Sequence, residues 1–395
     1  MSTRLPQPRS AFPLNLIVTF LGFLDTHMLI PVVSLYATEL GAGVGVAGLI
    51  VGLYSLANTP ANVFFGRVVD RVGYKRPLVI GLLGDAVGML SYAFCRVPFH
   101  LALVRLFHGT TGGLVGPATM SVTAGEAGRT RGGRAMGLYG LALGLATLVG
   151  YGMSGMMADR FGYNCIFYVG SAALLVGVLL AMAMPGRRGA GGDELGSRDA
   201  VGQDWREMLA LLRRRGLTTS YCCVFAQYFA FGGVVTLLPL YIEDLGMEAF
   251  HVGMLLATFA AVYAVLQFPS GALSDRASRA LPIGVGLCLS MASLTVIPGL
   301  ETFGLLALAM AAYGAAYALL FPSIAALIAD QVIPAELGRA TGVFHALLTA
   351  GVALGAPVMG WVGQGLGVAA GLAVTCLLYT SPSPRDLSTC RMPSS

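Results

Sequence analysis

The stretch GRVVDRVGYKR, residues Gly66 to Arg76, lies between two long apolar runs and carries five charges in eleven residues. A glycine opens it and an aspartate stands in its middle. Its skeleton is Gly66-x-x-x-Asp70-Arg71-x-Gly73, with Lys75 close behind. This skeleton decides the fold, because it recurs along the chain.

The recurrences are three: Gly155-x-x-x-Asp159-Arg160-x-Gly162, Gly271-x-x-x-Asp275-Arg276 and Gly360-x-x-x-Gln364-x-x-Gly367. The four copies are spaced by 89, 116 and 89 residues, and each ends an apolar run. An offset of 205 residues relates two six-helix halves of equal topology. The offset of 89 covers three helices, an odd number, so the repeats within each half are inverted. Such nested repeats are a known plan of secondary transporters.

The composition requires a membrane. The chain has 395 residues, of which 56% are hydrophobic and 11% charged, and its mean hydropathy is +0.76. Soluble domains carry about 25% charged residues. Continuous apolar runs of membrane-spanning length predict helices rather than barrel strands. The runs lie near residues 13–35, 47–66, 77–95, 99–121, 134–158, 163–184, 217–242, 250–270, 281–299, 303–326, 339–363 and from 366 onward.

The fold class predicted is therefore an all-α integral membrane protein with two bundles of inverted three-helix repeats. Residues 1–185 form the first six-helix half and residues 186–216 a cytoplasmic linker loop, within which Trp205 to Arg215 could form an amphipathic helix. Residues 217–378 contain helices 7 to 11 and part of the twelfth. Abundant glycine suggests close helix packing, for example at Gly140-x-x-x-Gly144.

The end of the chain departs from the repeat. The counterpart of the sixth run should cover about 368–389, yet the apolar pattern stops after Leu378. Residues 379–395 resemble translated linker sequence, and we expect a non-native tail behind a truncated last helix. A natural short helix with a disordered tail is the alternative.

Charge placement predicts the orientation. Nearly all Lys and Arg residues fall in segments on the side of the N-terminus, whereas Arg96 and Arg160 fall on the other. The positive-inside rule then puts both termini in the cytoplasm, with the chain in the cell's inner (plasma) membrane. The net charge of +5 is thus a topology signal, and no nucleic-acid partner is predicted.

No enzymatic chemistry is apparent. The seven cysteines show no metal-ligand spacing, and neither a Walker phosphate loop nor a nucleophile–base grouping is present. We expect no metal, no cofactor and no enzyme activity. Transport energy must then come from an ion gradient.

Four stretches carry a family resemblance. GRVVDRVGYKR resembles the major facilitator superfamily signature between helices 2 and 3, and GALSDRASR its weaker copy between helices 8 and 9. LALVRLFHGTTGG resembles the helix 4 motif with its arginine, and FLGFLDTHMLIPVV the helix 1 pattern of the drug:proton antiporter branch. The resemblance covers residues 13 to about 378. It departs at GYGMSG, where Tyr151 and Ser154 replace the branch's usual proline and glycine.

The resemblance implies that the repeated loop latches the two halves on the cytoplasmic side in the outward-open state. A plain topology-setting loop is the alternative. The predicted latch residues are Gly66, Asp70, Arg71, Gly73, Lys75, Arg76, Gly271, Asp275 and Arg276.

Three charged residues lie inside apolar runs of the first half. Asp25 would cost at least ~2.5 kcal/mol in hydrocarbon, so it should face a cavity, where it could carry a proton or neutralise a cation. Arg105 shares a helical face with His108 and could depress a carboxylate's pKa or bind an anion. His108 itself is more readily explained by packing. Asp85 is a further carboxylate whose facing the sequence leaves open.

Polar groups also lie within the runs of the second half. The family's helices 7 and 10 line its cavity, so the resemblance makes Gln227, Tyr313 and Tyr317 candidate substrate contacts, with His345 a fourth cavity candidate. Helix packing is the competing explanation for each aromatic residue. His27, two residues from Asp25, is expected to be structural.

Three functions remain open. The leading one is proton-coupled efflux of small amphipathic compounds by alternating access, in a protein that works as a monomer with protons, a small molecule and lipid as its partners. The second is a carrier of a polar or anionic metabolite, with Arg105 binding the anion. The third is a transporter-like sensor or scaffold without transport.

Overall fold

The computed structural model describes residues 11–127, 132–186, 210–276, 278–333 and 336–377. Within these ranges the chain is helical and has no strand. The helices are α1 Phe12–Leu29, α2 Val33–Glu39, α3 Val44–Val72, α4 Lys75–Tyr92, α5 Pro98–Ala127, α6 Gly132–Phe161, α7 Tyr163–Ala183, α8 Arg215–Asp244, α9 Ala249–Arg276, α10 Ala280–Val296, the 3₁₀ turn Ile297–Gly299, α11 Phe303–Asp330, α12 Leu337–Leu366 and α13 Val368–Leu377. The expected tail and most of the expected amphipathic linker helix lie outside the described residues.

Nine of these helices are long and apolar enough to cross a membrane. Two other long helices of the described chain, α4 and α5, are not among the nine, and they carry the buried polar residues Asp85, Arg105 and His108. The predicted fold class, an all-α multi-pass membrane protein, is confirmed.

Left-handed glycines mark the repeat in the backbone. Gly73, Gly162 and Gly367, the last glycines of three repeat copies, follow α3, α6 and α12 with φ of 84°, 77° and 91°. Gly41 and Gly246, which end α2 and α8 and are 205 residues apart, complete the set of positive-φ residues in the described chain. A residue with a Cβ is strained in this conformation, so glycine is the residue that stops a helix there. The repeat read from the sequence is therefore a repeat of helix ends.

The chain divides into two compact units. The first contains residues up to Leu29 and Ala57–Glu194, and the second Ile30–Leu56 and the residues from Leu195 onward. The helix is interrupted between α1 and α2, where Pro31 lacks the N–H that would continue the helical hydrogen bonds. The predicted boundaries at 185 and 217 stay a prediction.

In the first unit α1 packs against α5, α6 and α7, and α4 packs between α5 and α7. Glycines bring these helices close. At Gly22 of α1 an added Cβ would lie 3.0 Å from Leu82 of α4 and 3.0 Å from Val115 of α5. The centre of α1 is thereby held against both helices.

In the second unit α8 packs along α12, and α11 packs against α9 and α10. The approach of α8 and α12 is close, since a Cβ on Gly355 would lie 2.0 Å from the carbonyl oxygen of Phe229. α2 and the first turns of α3 join this unit, the former against α8 and the latter against α12.

The expectation for Gly140-x-x-x-Gly144 was wrong. No described atom lies within 4 Å of a Cβ added to either glycine, so this pair brings no helix close. Small-residue spacing permits close packing but does not determine which helix face is covered.

Candidate functional site

The site begins with a hydrogen bond between α1 and α5. His108 Nε2 lies 2.8 Å from Asp25 Oδ2, and the two side chains are 0% and 1% exposed. A carboxylate accepts hydrogen bonds, so Nε2 carries a hydrogen and donates the hydrogen bond to Asp25. On the other side of the ring, His108 Nδ1 lies 3.1 Å from the Tyr92 hydroxyl at the end of α4. In the neutral imidazole Nδ1 accepts this bond from Tyr92.

Asp85 of α4 completes the group. Its Oδ1 lies 3.9 Å from His108 Nε2 and accepts a hydrogen bond from the Thr111 hydroxyl. Flanking glycines make this approach possible. A Cβ on Gly84 would lie 2.5 Å from Thr111 Cγ2, and one on Gly88 would lie 3.2 Å from His108 Cβ. The glycine face of α4 therefore sets the distance between its carboxylate and α5.

Arg105 lies one turn before His108 on α5 and is 3% exposed. Its guanidinium interacts with the Tyr92 hydroxyl, which joins it to the His108 ring. Arginine stays charged in proteins, and a buried cation is stabilised only where it finds partners, of which the Tyr92 hydroxyl is one. We call Asp25, Asp85, Arg105 and His108 the charged cluster.

The charged cluster is suited to proton exchange. Two carboxylates and an imidazole that are shielded from water interact strongly. Gaining or losing one proton changes the net charge of the cluster in the low-dielectric interior, where charge is costly. The ligand-type atoms of Asp25, Asp85 and His108 lie within 4.8 Å of one another, the one such grouping in the described ranges. In the structure His108 Nε2 is hydrogen-bonded to Asp25, and the expectation that no metal binds here stays a prediction.

The structure brings together three of the four predicted cavity residues of the second unit. The Tyr317 hydroxyl donates to the backbone oxygen of Gln227 at 2.8 Å, and the Tyr313 and Tyr317 rings lie 5.1 Å apart. Phe259 contacts both tyrosine rings. All of these side chains are buried. His345 is exposed and instead bonds the carbonyl of its own helix at Thr341, 2.9 Å away.

The predicted latch loop is tied to the first unit. Lys75 Nζ donates to the carbonyl of Met184 at 2.6 Å, and Tyr74 donates to the carbonyl of Pro185, so the loop is fixed to the end of α7. Asp70 is exposed and forms no ion pair with the described Arg71 or Arg76.

The remaining latch residues are placed as follows. Gly66 lies on α3 with the Pro117 side chain 4.0 Å from an added Cβ, and Gly73 ends that helix. Gly271 has no described atom within 4 Å of an added Cβ. The side chains of Asp275 and Arg276 lie outside those the structure describes. The latch stays a prediction.

His27 of α1 contacts α6. Its Nδ1 donates to the carbonyl of Phe23 at 2.6 Å, and its Nε2 lies 3.0 Å from the Thr147 hydroxyl. Gly150 lies against its backbone, and the Tyr151 ring is tilted beside it at 5.6 Å. Tyr151, which departs from the family motif, therefore packs on His27, consistent with a structural role.

Sequence reasoning undervalued His108. One signal was available, since His108 follows Arg105 by three residues and so shares its helical face. The contact of this face with Asp25 of α1 depends on how the helices pack, which the spacing along one helix does not show. Tyr92 and Thr111 gave no signal of their own.

Comparison with known proteins assigns the family. A sequence model of the Major Facilitator Superfamily matches residues 16–253 and 220–385. An uncharacterised MFS-type transporter of Methanocaldococcus jannaschii, MJ1560, is 25% identical over 359 residues, covering 89% of this chain and 91% of that protein. The multidrug resistance protein MdtG of Proteus mirabilis is 26% identical over 365 residues, covering 88% of each.

Solved structures agree in fold. A bacterial homologue of the human lysosomal transporter Spinster superposes with a TM-score of 0.79 at 14% identity, covering 98% of each chain. The nucleoside transporter NupG superposes with a TM-score of 0.77 at 15% identity, covering 97% of this chain and all of the other. At these identities the likeness concerns the fold alone.

Proposed function

The chain belongs to the major facilitator superfamily, and from the charged cluster we propose that it is a proton-coupled exporter of small amphipathic compounds. It is a multi-pass membrane transporter and not an enzyme. The export direction, the coupling ion and alternating access are parts of the proposal. The orientation is also part of the proposal. Both termini lie in the cytoplasm, and the chain spans the cell's inner membrane.

The observation that carries the proposal is the buried bond between His108 and Asp25, with Asp85 3.9 Å from the same nitrogen. Burying two carboxylates in a membrane helix bundle is costly, and such residues commonly mark proton relays. A relay needs a group that gains and loses one proton without rearranging the backbone. The charged cluster has that composition.

The proton changes the hydrogen bonds of one ring. Without it, His108 donates through Nε2 to Asp25 and accepts from Tyr92 through Nδ1. When the cluster gains a proton on the imidazole, both ring nitrogens donate, so the Tyr92 hydroxyl must become an acceptor. Because Arg105 interacts with the same hydroxyl, the change reaches the neighbouring guanidinium. Protonation is thereby linked to the position of Arg105.

Export of amphipathic compounds is supported by the relatives. MdtG proteins of enteric bacteria, named as multidrug resistance proteins, align with 80–88% of this chain at 26–27% identity. A cationic compound would compete with the proton for the negative charge of Asp25, and this competition is the simplest means of coupling the two.

A second function is favoured by Arg105. A guanidinium that is 3% exposed could bind an anion, which would make the protein a carrier of a polar or anionic metabolite. The two proposals differ in which charge the substrate bears, and one assay separates them.

The assay uses inside-out membrane vesicles that hold an acidic lumen, with a fluorescent reporter of the pH gradient. Tetraphenylphosphonium is added first, and an organic anion such as benzoate in a second series. Asp25→Asn removes one of the cluster's two carboxylates, and Asp244→Asn, at the exposed end of α8, is the matched control.

Discharge of the gradient by the cation, lost in Asp25→Asn and retained in Asp244→Asn, would support proton-coupled export. Failure of every lipophilic cation to discharge the gradient would contradict it. Gradient-driven uptake of the anion that is lost in Arg105→Gln would then support the metabolite carrier.

A further inference from the structure

The fourth repeat copy makes a contact that the repeat itself does not explain. Its final polar residue is Gln364, where the other copies have aspartate. The Gln364 Oε1 accepts a hydrogen bond from the backbone N–H of Gly45 at 2.9 Å. Gly45 is the second residue of α3, and the first N–H groups of a helix have no partner within it. Gln364 at the end of α12 therefore caps the start of α3.

Glycines extend this contact for two more turns. A Cβ on Gly48 would lie 2.4 Å from the carbonyl oxygen of Ala356 and 3.0 Å from the Cα of Gly360. A Cβ on Gly52 would lie 2.7 Å from the carbonyl oxygen of Ala353. The two backbones thus touch without intervening side chains, all within the second compact unit. We call the three α3 glycines, Gln364 and the facing α12 backbone the α3–α12 clamp.

The clamp lies at the opposite end of α3 from the predicted latch. Gly45 and Gly66 are 21 residues apart on one helix, about 32 Å at 1.5 Å per residue, which is close to the thickness of a bilayer core. Copies one and three of the repeat lie at the predicted cytoplasmic ends of α3 and α9. Copies two and four lie at the predicted outer ends of α6 and α12. The clamp is therefore at the predicted outer face.

We propose that Gln364 is a positioning residue of the transport cycle, which holds the outer end of α3 on α12 while the outer side is closed and releases it when that side opens. The inference rests on the proposed alternating access. It extends the latch of the repeat to the opposite face of the membrane.

The chemistry of Gln364 suits a contact that is made and broken in each cycle. Its amide is neutral, so breaking the bond leaves no uncompensated charge, and its exposed side chain can bond water instead. At Gly48 and Gly52 the nearest atoms of α12 are backbone atoms, so the two helices fit closely there. The clamp should accordingly respond little to pH, in contrast to the charged cluster.

The test measures access to the clamp from outside. Ala353→Cys, at a position now 8% exposed, is labelled in intact cells with a membrane-impermeant maleimide, and the chain without this cysteine provides the blank. Two variants weaken the clamp by independent routes. Gln364→Leu removes the acceptor at an exposed position, and Gly48→Ala forces the backbones apart.

Two further variants are controls. Gln364→Glu keeps an acceptor for the Gly45 N–H. Gly284→Ala adds the same methyl group to α10, where no described atom lies within 4 Å of it. Folding of every variant is checked by gel filtration, and Gln364→Leu should pass even if Gly48→Ala does not.

We expect Gln364→Leu and Gly48→Ala to raise the labelling rate roughly two- to tenfold, the range that one hydrogen bond supplies. The rates of Gln364→Glu and Gly284→Ala should stay near that of the parent at pH 6 and pH 8. Equal rates in the parent and Gln364→Leu would overturn the proposal. Labelling needs neither substrate nor a gradient, so a failed transport assay leaves this inference standing.

Discussion

His108 Nε2 donates to the Asp25 carboxylate across 2.8 Å, although 83 residues separate the two in the sequence. The bond joins α1 to α5 at a place where both side chains are shielded from solvent. A hydrogen bond to a charged group is worth about 1.5–3 kcal/mol, more than a neutral one. This pair is the centre of the proton coupling that we propose.

Replacing His108 should uncouple transport from protons. In His108→Gln the amide can still donate to Asp25 but cannot take up a proton, so we expect proton-coupled flux in the vesicle assay to fall about a hundredfold or more, the usual contribution of a positioned acid–base group. His100→Gln, at an exposed position near the start of the same helix, is the matched control. Undiminished flux in His108→Gln would mean that the ring only packs.

The glycine face of α4 should be needed for the cluster's geometry. Gly84→Ala places a methyl group 2.5 Å from Thr111 Cγ2 and must push α4 away from α5. Overpacking of this kind costs about 1–3 kcal/mol. We expect a lower unfolding temperature in detergent and weaker proton coupling, because Asp85 moves with α4. Gly284→Ala should change neither, and an unshifted melting curve for Gly84→Ala would contradict the packing described here.

The repeat glycines should resist substitution for a backbone reason. Gly162 has φ of 77° and ψ of 166°, a backbone conformation nearly confined to glycine, and a residue with a Cβ held there costs about 1–3 kcal/mol. Gly162→Ala and Gly162→Asn should both lower the unfolding temperature, because a ψ of 166° lies outside the left-handed helical region that asparagine tolerates. Gly137→Ala, inside α6 and without a described neighbour, should not lower it, because alanine favours a helix interior over glycine. A neutral Gly162→Ala would show that this helix end can adopt another conformation.

The hydroxyl of Tyr317 should stabilise the second unit. Tyr317→Phe removes the bond to the Gln227 carbonyl while keeping the ring contacts, so we expect a loss of about 0.5–1.5 kcal/mol in the free energy of unfolding. Tyr168→Phe, at a tyrosine that is 50% exposed on α7, is the control. Equal stabilities of the two variants would contradict a structural contribution from the hydroxyl.

Much of the fold could be predicted because it repeats. The four GxxxD-like copies lie at helix ends, and three of them end in a glycine whose left-handed φ stops the helix. The apolar runs predicted the helices. An offset of 205 residues covers an even number of apolar runs, which predicted that the two halves have the same topology. Local chemistry was sufficient here, because helix length and helix ends are local properties.

The site was less accessible, because it depends on which faces meet. Asp25 and Arg105 could be singled out, since charge inside a membrane span is costly wherever it lies. The direction in which Asp85 points and the partner of His108 could not be predicted, because both depend on the close, glycine-lined packing of α4 against α5. The wrong expectation for Gly140 and Gly144 has the same origin, since spacing does not identify the helix that will pack there.

The most direct test of the central claim counts protons on the purified protein. A saturating lipophilic cation, tetraphenylphosphonium, is added to the chain in weakly buffered detergent, and the pH change is recorded beside a binding isotherm. If the cation and the proton compete for the charged cluster, the chain should release a proton on binding, and Asp25→Asn should release none. Cation binding without proton release, or equal release from Asp25→Asn, would contradict the account.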